Sequence, residues 1–296
     1  RAMKFSAWPS VTNPWADLLD ECRHIEKAGW HGIWIGDHFM ANAADNSGPW
    51  QESWSVISAL AAAVPRLRLG TLVTGNTYRH PAVLAKQVAQ ADIISGGRVV
   101  LGMGAGWQEN EHEAYGIAFY TAGERLRRLE ESVQVIRGLF SSARTSFEGR
   151  YYQLKDAPLA PKPVQTHLPI LIGGGGEKVT LRIVARHADE WNVPGTPDNF
   201  AQKARVLNEH CEREGRDPHT IKRVGAVQVS PGTEAGLGRQ GPFVTFAKTT
   251  DLSGLVAEYA AAGVEELIVH YNPRRPLPER QEFWNRFQQD VAAAFA

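Results

Sequence analysis

Residues 28–38 read AGWHGIWIGDH, and the prediction of the fold starts from this stretch. The run Gly32–Gly36 is short and rich in β-branched and aromatic residues, which is typical of a buried strand. A helical pattern follows over Glu52–Val64 and ends before Pro65, because proline cannot continue a helix. The next strand pattern covers Arg68–Val73. This order predicts a strand–helix–strand unit.

The same alternation of strand and helix patterns occurs about eight times, the number that a (β/α)8 TIM barrel requires. The strand patterns are Lys4–Trp8, Gly32–Gly36, Arg68–Val73, Arg98–Gly102, Ile170–Gly173, Asp189–Val193, Arg223–Val229 and Leu267–Tyr271. No Pro/Ser-rich linker divides them, so we predict an α/β fold with one barrel domain over residues 1–296. An open doubly wound sheet is the alternative.

Two segments interrupt the alternation. Phe147–Tyr152 predicts a small hairpin that turns at Glu148 and Gly149 and is inserted before the fifth strand. Pro231–Pro242 contains four glycines and predicts a long flexible loop after the seventh strand. Long loops at this end of a barrel often act as lids.

Composition excludes several classes of protein. The 296 residues carry 32 basic and 32 acidic side chains, with no run of five like charges, which argues against a nucleic-acid partner. The chain is 43% apolar, yet it has neither an apolar run of about 18 residues nor a signal-peptide pattern, so we expect a cytoplasmic protein without membrane contact. Cys22 and Cys211 lie in polar helical segments, and we expect both to be structural.

The catalytic end of a TIM barrel is where the strands end at their C-termini. After the fifth strand, Gly173–Gly176 precedes a helix predicted to begin near Glu177. Glycine N–H groups at a helix N-terminus can approach an anion closely, so this run predicts a phosphate-binding loop. The alternative is a tight turn between strand and helix.

A second glycine motif follows the fourth strand, with glycines at 102, 104 and 106. It is not a dinucleotide fingerprint, because Trp107 stands where that motif needs glycine or alanine. The motif instead predicts a backbone surface on which a flat ligand can lie, with Trp107 beside it.

Asp37 and His38 follow the second strand, and we predict both as catalytic residues. A histidine near neutrality can exchange a proton or stabilise developing negative charge. The alternative is a loop histidine bonded to the backbone.

His80, before Pro81, is interpreted as a helix cap or pocket wall. We interpret the cluster Glu109, Glu111, His112 and Glu113 as a solvated first helical turn and predict no metal site.

Residues 28–38, residues 69–73 with His80 and Pro81, and residues 95–107 together resemble the luciferase-like monooxygenase superfamily of flavin- and deazaflavin-dependent barrels. The resemblance covers nearly the whole chain. It implies that His38 lies beside the reactive ring with a catalytic role. It also implies a cis peptide bond at Leu72–Val73, which bulges against the back of the ring.

The resemblance further implies two groups of cofactor contacts. The ring would lie on Leu72, Val73, Thr74, Gly104, Ala105, Gly106 and Trp107, and its phosphate on Gly173, Gly174, Gly175, Gly176 and Glu177.

Two departures from family patterns argue against FMN and against a sugar-phosphate substrate, respectively. Ala105 stands where related flavin monooxygenases have an arginine for the FMN phosphate, and Trp107 stands where F420-dependent sugar-phosphate dehydrogenases have a glutamate. The variant Gly-Ala-Gly-Trp resembles members assigned to coenzyme F420. We therefore expect hydride transfer between coenzyme F420 and a small organic substrate. An FMN-dependent monooxygenase is the alternative.

The substrate is not identified by the sequence. Trp8, Trp107, Trp191 and His270 are predicted to line the mouth, although nine tryptophans also suit an ordinary core. The resemblance implies a homodimer formed through the second and third helices. A barrel that only stores a ligand and a metal-dependent hydrolase remain as alternatives.

Overall fold

The computed structural model describes residues 2–233 and 235–295. Eight strands pair with their neighbours in parallel, and Lys4 of the first strand lies opposite Glu266 of the last, which closes the barrel. This confirms the TIM barrel and excludes the open sheet. The barrel strands are β1 (Lys4–Ala7), β2 (Gly32–Ile35), β3 (Arg68–Thr71) with its short continuation β4 (Thr74–Gly75), β5 (Val99–Gly104), β8 (Ile170–Gly173), β9 (Glu190–Pro194), β10 (Lys222–Pro231) and β13 (Glu266–Tyr271).

Helices surround the barrel and cover the outer faces of the strands, which explains the apolar runs in the sequence. Cys22 and Cys211 are free and buried in this layer. In the part of the chain that the structure describes, no helix is long and apolar enough to cross a membrane. The helices are α1 (Trp15–Lys27), α2 (Ser53–Ala63), α3 (Pro81–Ser95), α4 (Glu109–Tyr115), α5 (Ala122–Ser141), α6 (Thr180–His187), α7 (Pro197–Arg213), α8 (Leu252–Ala261) and α9 (Leu277–Asp290).

The remaining strands form two additions to the barrel. β6 (Arg144–Glu148) and β7 (Gln153–Pro158) are the predicted hairpin, with the Gly149 N–H donating to the Tyr152 carbonyl at 2.9 Å. The long loop predicted over Pro231–Pro242 contains a short strand of its own. β11 (Leu237–Gln240) turns back onto β12 (Phe243–Phe246), which pairs in parallel with the end of β10. Glu234, in the same segment, lies outside the described residues.

Charged side chains fill the N-terminal end of the barrel interior. The Glu266 carboxylate is fully buried and accepts hydrogen bonds from Ser6 Oγ at 2.6 Å and Trp34 Nε1 at 2.8 Å. Lys222 and Arg68 form ion pairs with the same carboxylate. Burial by itself would raise the pKa of Glu266, but the two cations and these donors lower it to about 2. The interior charges are therefore paired at neutral pH.

The third barrel strand ends earlier than predicted, at Thr71 instead of Val73. At this point β3 and β5 approach so closely that a Cβ at Gly102 would lie 1.8 Å from the Thr71 carbonyl oxygen. The Thr71 hydroxyl donates to the Gly102 carbonyl at 2.9 Å. Gly102 is therefore required by strand packing.

Gly102→Ala is expected to destabilise the protein by about 3 kcal/mol or more, because the new methyl group overlaps backbone that must shift. Gly254→Ala is the matched control, since a Cβ at Gly254, within α8, meets nothing within 4 Å. It is expected to stabilise the protein by up to about 1 kcal/mol through helix propensity. Urea unfolding measures both, and equal effects would contradict this account.

Glu266 predicts a pH dependence of the unfolding free energy. Its pKa is about 2 in the folded protein against an ordinary 4.5, so its contribution is complete above pH 4.5 and is lost as the pH falls towards 2. The contribution is on the order of 3 kcal/mol. Glu266→Gln should therefore differ most from wild type near pH 7 and least near pH 2, as measured by urea unfolding across this range. A constant difference for Glu266→Gln would be evidence against this.

Candidate active site

The chain leaves β2 through Asp37 and His38, whose side chains have different surroundings. Asp37 is completely buried, while the His38 side chain keeps 17% of its surface exposed. Successive residues of an extended chain point in opposite directions, which separates the two groups. His38 is therefore the one of the pair that can meet a ligand in the mouth.

Asp37 is held by Arg79, from the loop before α3. Arg79 Nη1 lies 2.6 Å from Asp37 Oδ2, and Arg79 Nη2 lies 2.6 Å from Glu52 Oε1 at the N-terminus of α2. Burial by itself would lower the pKa of Arg79, but the two carboxylates raise it. Arg79 thus connects the end of β2 to the starts of two helices. A catalytic role for Asp37 stays a prediction, and its visible contact is structural.

His38 is held by Glu111 of α4. Its Nδ1 lies 2.7 Å from Glu111 Oε1, and the Phe39 N–H donates to Glu111 Oε2 at 2.8 Å. Glu111 is fully buried, and His112 is buried with it. The interpretation of Glu109–Glu113 as a solvated turn is therefore wrong for these two residues. It is right for Glu109 and Glu113, which lie on the exposed face of the helix.

The end of β3 carries the cis peptide bond Leu72–Val73, as the resemblance implied. The Val73 side chain lies against Gly104 and Gly173, where a Cβ would approach it to 2.8 and 3.1 Å. These two glycines therefore make room for Val73. The backbone surface predicted around Gly104 is covered by Val73 on this side.

The run Gly173–Gly176 has features of both predicted alternatives, a tight turn between strand and helix and an anion-binding loop. Cβ atoms at Gly174 and Gly176 would lie 2.9 and 2.7 Å from atoms of Thr180, so close packing also demands glycine. The helix begins at Thr180, three residues after the predicted start, and its N-cap, Val179, supplies no side-chain hydrogen bond. Gly174 donates to the Asn192 carbonyl at 2.9 Å. The N–H groups of Gly175 and Gly176 have no acceptor among the described residues, so an anion can bind there.

Glu177 lies beside these N–H groups. Its side chain is exposed and accepts a hydrogen bond from Lys203 Nζ at 2.8 Å, and its carbonyl is 2.6 Å from His210 Nε2. Lys203 brings a positive charge towards the glycine run, with its Cε 3.7 Å from a Cβ built at Gly175.

The loop after β5 brings an aromatic ring to His38. Trp107 is 61% exposed, and its ring centre lies 5.5 Å from that of His38. Ala105 is partly exposed, and Gly106 has the positive φ of 89° that favours glycine. His38, Trp107 and the Leu72–Val73 bulge therefore surround one end of the mouth.

A cavity of about 580 Å³ opens on the opposite side, between the end of β10, the β11–β12 hairpin and the residues after β13. His270 lies in its wall and packs on Trp8, with the ring centres 4.9 Å apart. His270 Nδ1 lies 2.7 Å from the Trp8 carbonyl oxygen, which can only accept. Burial lowers the pKa of His270 despite this bond, so the ring is neutral and Nε2 is an acceptor.

Two residues predicted at the mouth, Trp191 and Thr74, are buried, and His80 is a helix cap, as predicted. Trp191 is fully buried in the layer between barrel and helices, where it stacks on Phe200 of α7 and donates to the Gly174 carbonyl at 2.8 Å. Thr74 is also buried, and its hydroxyl accepts from Trp54 Nε1 at 3.0 Å. His80 caps α3 by accepting from the Ala82 N–H at 3.1 Å. Neither Trp191 nor His80 is brought to the mouth.

The sequence analysis missed the residues that support His38. Glu111 was assigned to solvent, and Tyr78 and Arg79 were given no role. A signal for Glu111 is present in the helix pattern, because Glu111 and His112 lie on the face of α4 opposite the exposed Glu109 and Glu113. The signal does not name a partner, because 72 positions separate Glu111 from Phe39.

Several proteins of similar sequence are named as F420-dependent dehydrogenases. The F420-dependent glucose-6-phosphate dehydrogenase of Kineococcus radiotolerans is 38% identical over 218 residues, which are 72% of this chain and 63% of that protein. The F420-dependent hydroxymycolic acid dehydrogenase of Mycobacterium tuberculosis is 31% identical over 210 residues, 69% of this chain and 56% of that protein. The chain thus spans less than two thirds of the length of these curated relatives.

Solved structures share the fold at low sequence identity. An F420-dependent secondary alcohol dehydrogenase in complex with an F420–acetone adduct superposes with a TM-score of 0.87 at 18% identity, covering 98% of this chain and 99% of that one. The monooxygenase RslO1 from Streptomyces bottropensis gives 0.80 at 16% identity, covering 99% and 100%. The family model of the luciferase-like monooxygenases matches residues 2–240. The chain therefore belongs to the luciferase-like monooxygenase family.

Proposed function

We propose that this protein is an oxidoreductase that transfers a hydride between coenzyme F420 and a small organic substrate at the C-terminal mouth of the barrel. The observation that carries the proposal is His38, held by Glu111 beside Trp107 at the end of the mouth where the Leu72–Val73 bulge lies. Relatives named as F420-dependent dehydrogenases support the choice of cofactor.

The residues of the mouth fit a flat ring with an anionic tail. The ring would lie on Val73 and beside the partly exposed Ala105 and Trp107, and its phosphate on the N–H groups of Gly175 and Gly176. The chain supplies no arginine at position 105. When bound, coenzyme F420 supplies the ring carbon that takes or gives the hydride.

His38 handles the proton that accompanies the hydride. Its Nδ1 is occupied by Glu111, so Nε2 is the atom available to a substrate oxygen. Oxidation of an alcohol releases the hydroxyl proton to Nε2, and reduction of a carbonyl takes a proton from it. The substrate would enter from the cavity beside His270. The neutral His270 ring and Gln228 offer polar contacts in this cavity, and Phe243 and Val244 form its apolar wall.

A homodimer and a cytoplasmic location belong to the same proposal. Val83 and Ile94 lie 55% and 41% exposed on α3. Eleven residues correspond to about three helical turns, which puts both on one face, and this supports pairing through that helix. Two free thiols suit a reducing compartment.

The FMN-dependent monooxygenase remains the second candidate, because the matched family is that of the luciferase-like monooxygenases and RslO1, which shares the fold, is a monooxygenase. Ala105 argues against it, since the arginine that related flavin monooxygenases use for the FMN phosphate is missing.

Cofactor binding provides the first test. Titration with coenzyme F420, followed by quenching of its fluorescence, is expected to give micromolar affinity, with FMN at least tenfold weaker. The deazaflavin lacking the phosphate tail should also bind at least tenfold more weakly, because each charge-assisted hydrogen bond contributes about 1.5 kcal/mol or more. Micromolar FMN binding without F420 binding would refute the proposal. Equal affinity for the two deazaflavins would refute only the phosphate site.

Replacement of His38 provides the second test. His38→Ala is expected to lower turnover of secondary alcohols such as 2-propanol by about 10²-fold or more, because a positioned acid–base group contributes about that much. F420 affinity should change little. His80→Ala is the matched control, since this histidine only caps α3 and its loss should cost about 1 kcal/mol of stability with turnover unchanged. Loss of the visible absorbance of F420 reports turnover. Equal rates in His38→Ala and wild type would remove His38 from the reaction.

A further inference from the structure

We infer that Glu111 is a positioning residue that fixes the tautomer of His38, with the proton on Nδ1 and Nε2 free as an acceptor in the mouth. The inference rests on the proposed function for its catalytic consequence, but the tautomer itself can be measured without any cofactor or substrate.

The Glu111 carboxylate receives donors on both oxygens. His38 Nδ1 and the Tyr78 hydroxyl contact Oε1, and the Phe39 N–H donates to Oε2 at 2.8 Å. Burial by itself would raise the pKa of Glu111, but these hydrogen bonds hold it below its ordinary value. An ionised carboxylate only accepts hydrogen bonds. His38 must therefore present Nδ1–H to it.

The Tyr78 hydroxyl is a second donor to Glu111 and does not replace the carboxylate as the partner of His38 Nδ1. Burial and the neighbouring Glu111 raise the pKa of Tyr78 far above its ordinary value, so the hydroxyl keeps its proton and donates to Glu111. The Tyr78 oxygen is 3.3 Å from His38 Nδ1, whereas Glu111 Oε1 is 2.7 Å from the same nitrogen. The primary partner of the imidazole is thus the carboxylate.

The surroundings hold Glu111 in place. The ring of the adjacent His112 stacks on that of Tyr78 at 5.2 Å, and its two nitrogens contact the Gln108 carbonyl at 2.7 Å and the Thr77 hydroxyl at 2.6 Å. Glu111 is also in the first turn of α4, where the helix dipole favours a negative charge. The carboxylate is therefore fixed before any ligand arrives.

Glu111→Gln tests the tautomer sharply because an amide has one acceptor and one donor end. If the amide oxygen accepts from the Phe39 N–H, the NH₂ group faces His38 Nδ1, which must then accept, and the ring proton moves to Nε2. The reverse orientation leaves the partly buried Phe39 N–H facing a donor, at a cost of about 1 kcal/mol or more. In the first orientation the Tyr78 hydroxyl can rotate and accept from the NH₂ group, which a backbone N–H cannot do. The first orientation is therefore favoured, and the tautomer inverts.

The experiment is nitrogen NMR of protein labelled with ¹⁵N-histidine, recorded at alkaline pH and assigned with His38→Ala. Wild type is expected to show Nδ1 protonated and Nε2 unprotonated, and Glu111→Gln the reverse. Tyr78→Phe is the matched control, since it removes a neighbouring donor but leaves the carboxylate, and it should keep the wild-type tautomer.

Three results would overturn the inference: a wild-type His38 protonated on Nε2, an unchanged tautomer in Glu111→Gln, or inversion in Tyr78→Phe as well. The wild-type spectrum is decisive even if Glu111→Gln does not fold. Glu111→Gln should also lower kcat for alcohol oxidation by about 10²-fold with F420 affinity within twofold. If His38→Ala leaves turnover unchanged while the tautomers behave as expected, the proposed role of His38 fails and the positioning by Glu111 stands.

Discussion

The site depends on one close contact: Val73 packs into the space that two glycines, Gly104 and Gly173, leave free because they have no side chain. Val73 follows the cis bond after β3 and lies on Gly104 of β5 and Gly173 of β8. A Cβ at either glycine would push Val73 back, and protein interiors have little free volume to absorb that shift. Three consecutive barrel strands therefore determine the shape of the mouth floor.

The barrel could be predicted from the sequence, whereas the hairpin after β10 could not. Eight strand patterns separated by helical patterns suffice for the barrel, because buried parallel strands are recognisable as apolar runs. The hairpin after β10 was mistaken for a loop because glycines at 236, 238 and 241 look like breakers, yet Gly238 and its neighbours pair across to β12. Pairing with a distant strand overrides local preference in such segments.

The candidate site was predictable in part. His38 could be found because it follows a strand at the end of the barrel where chemistry occurs. The different environments of Asp37 and His38 depend on Arg79 and Glu111, which reach them from 42 and 73 positions away. A single sequence contains no information on such pairings. The same limit explains Trp191, which follows the alternation of its strand outwards to the helices.

The neutral net charge of the chain is reflected in its interior, where acidic and basic side chains are paired. Carboxylates inside the barrel are matched by cations at short range, as Glu266 is by Lys222 and Asp37 by Arg79. Such pairs contribute little to the field outside the protein, so an anionic cofactor is not attracted by an overall positive potential. In the proposed function its phosphate is bound by short-range dipoles, for which the N–H groups of Gly175 and Gly176 are the candidates. Because backbone N–H groups recognise an anion without requiring a charged side chain, the absence of an arginine at position 105 is compatible with the proposed phosphate-bearing ligand, anchored at the end of the neighbouring strand β8.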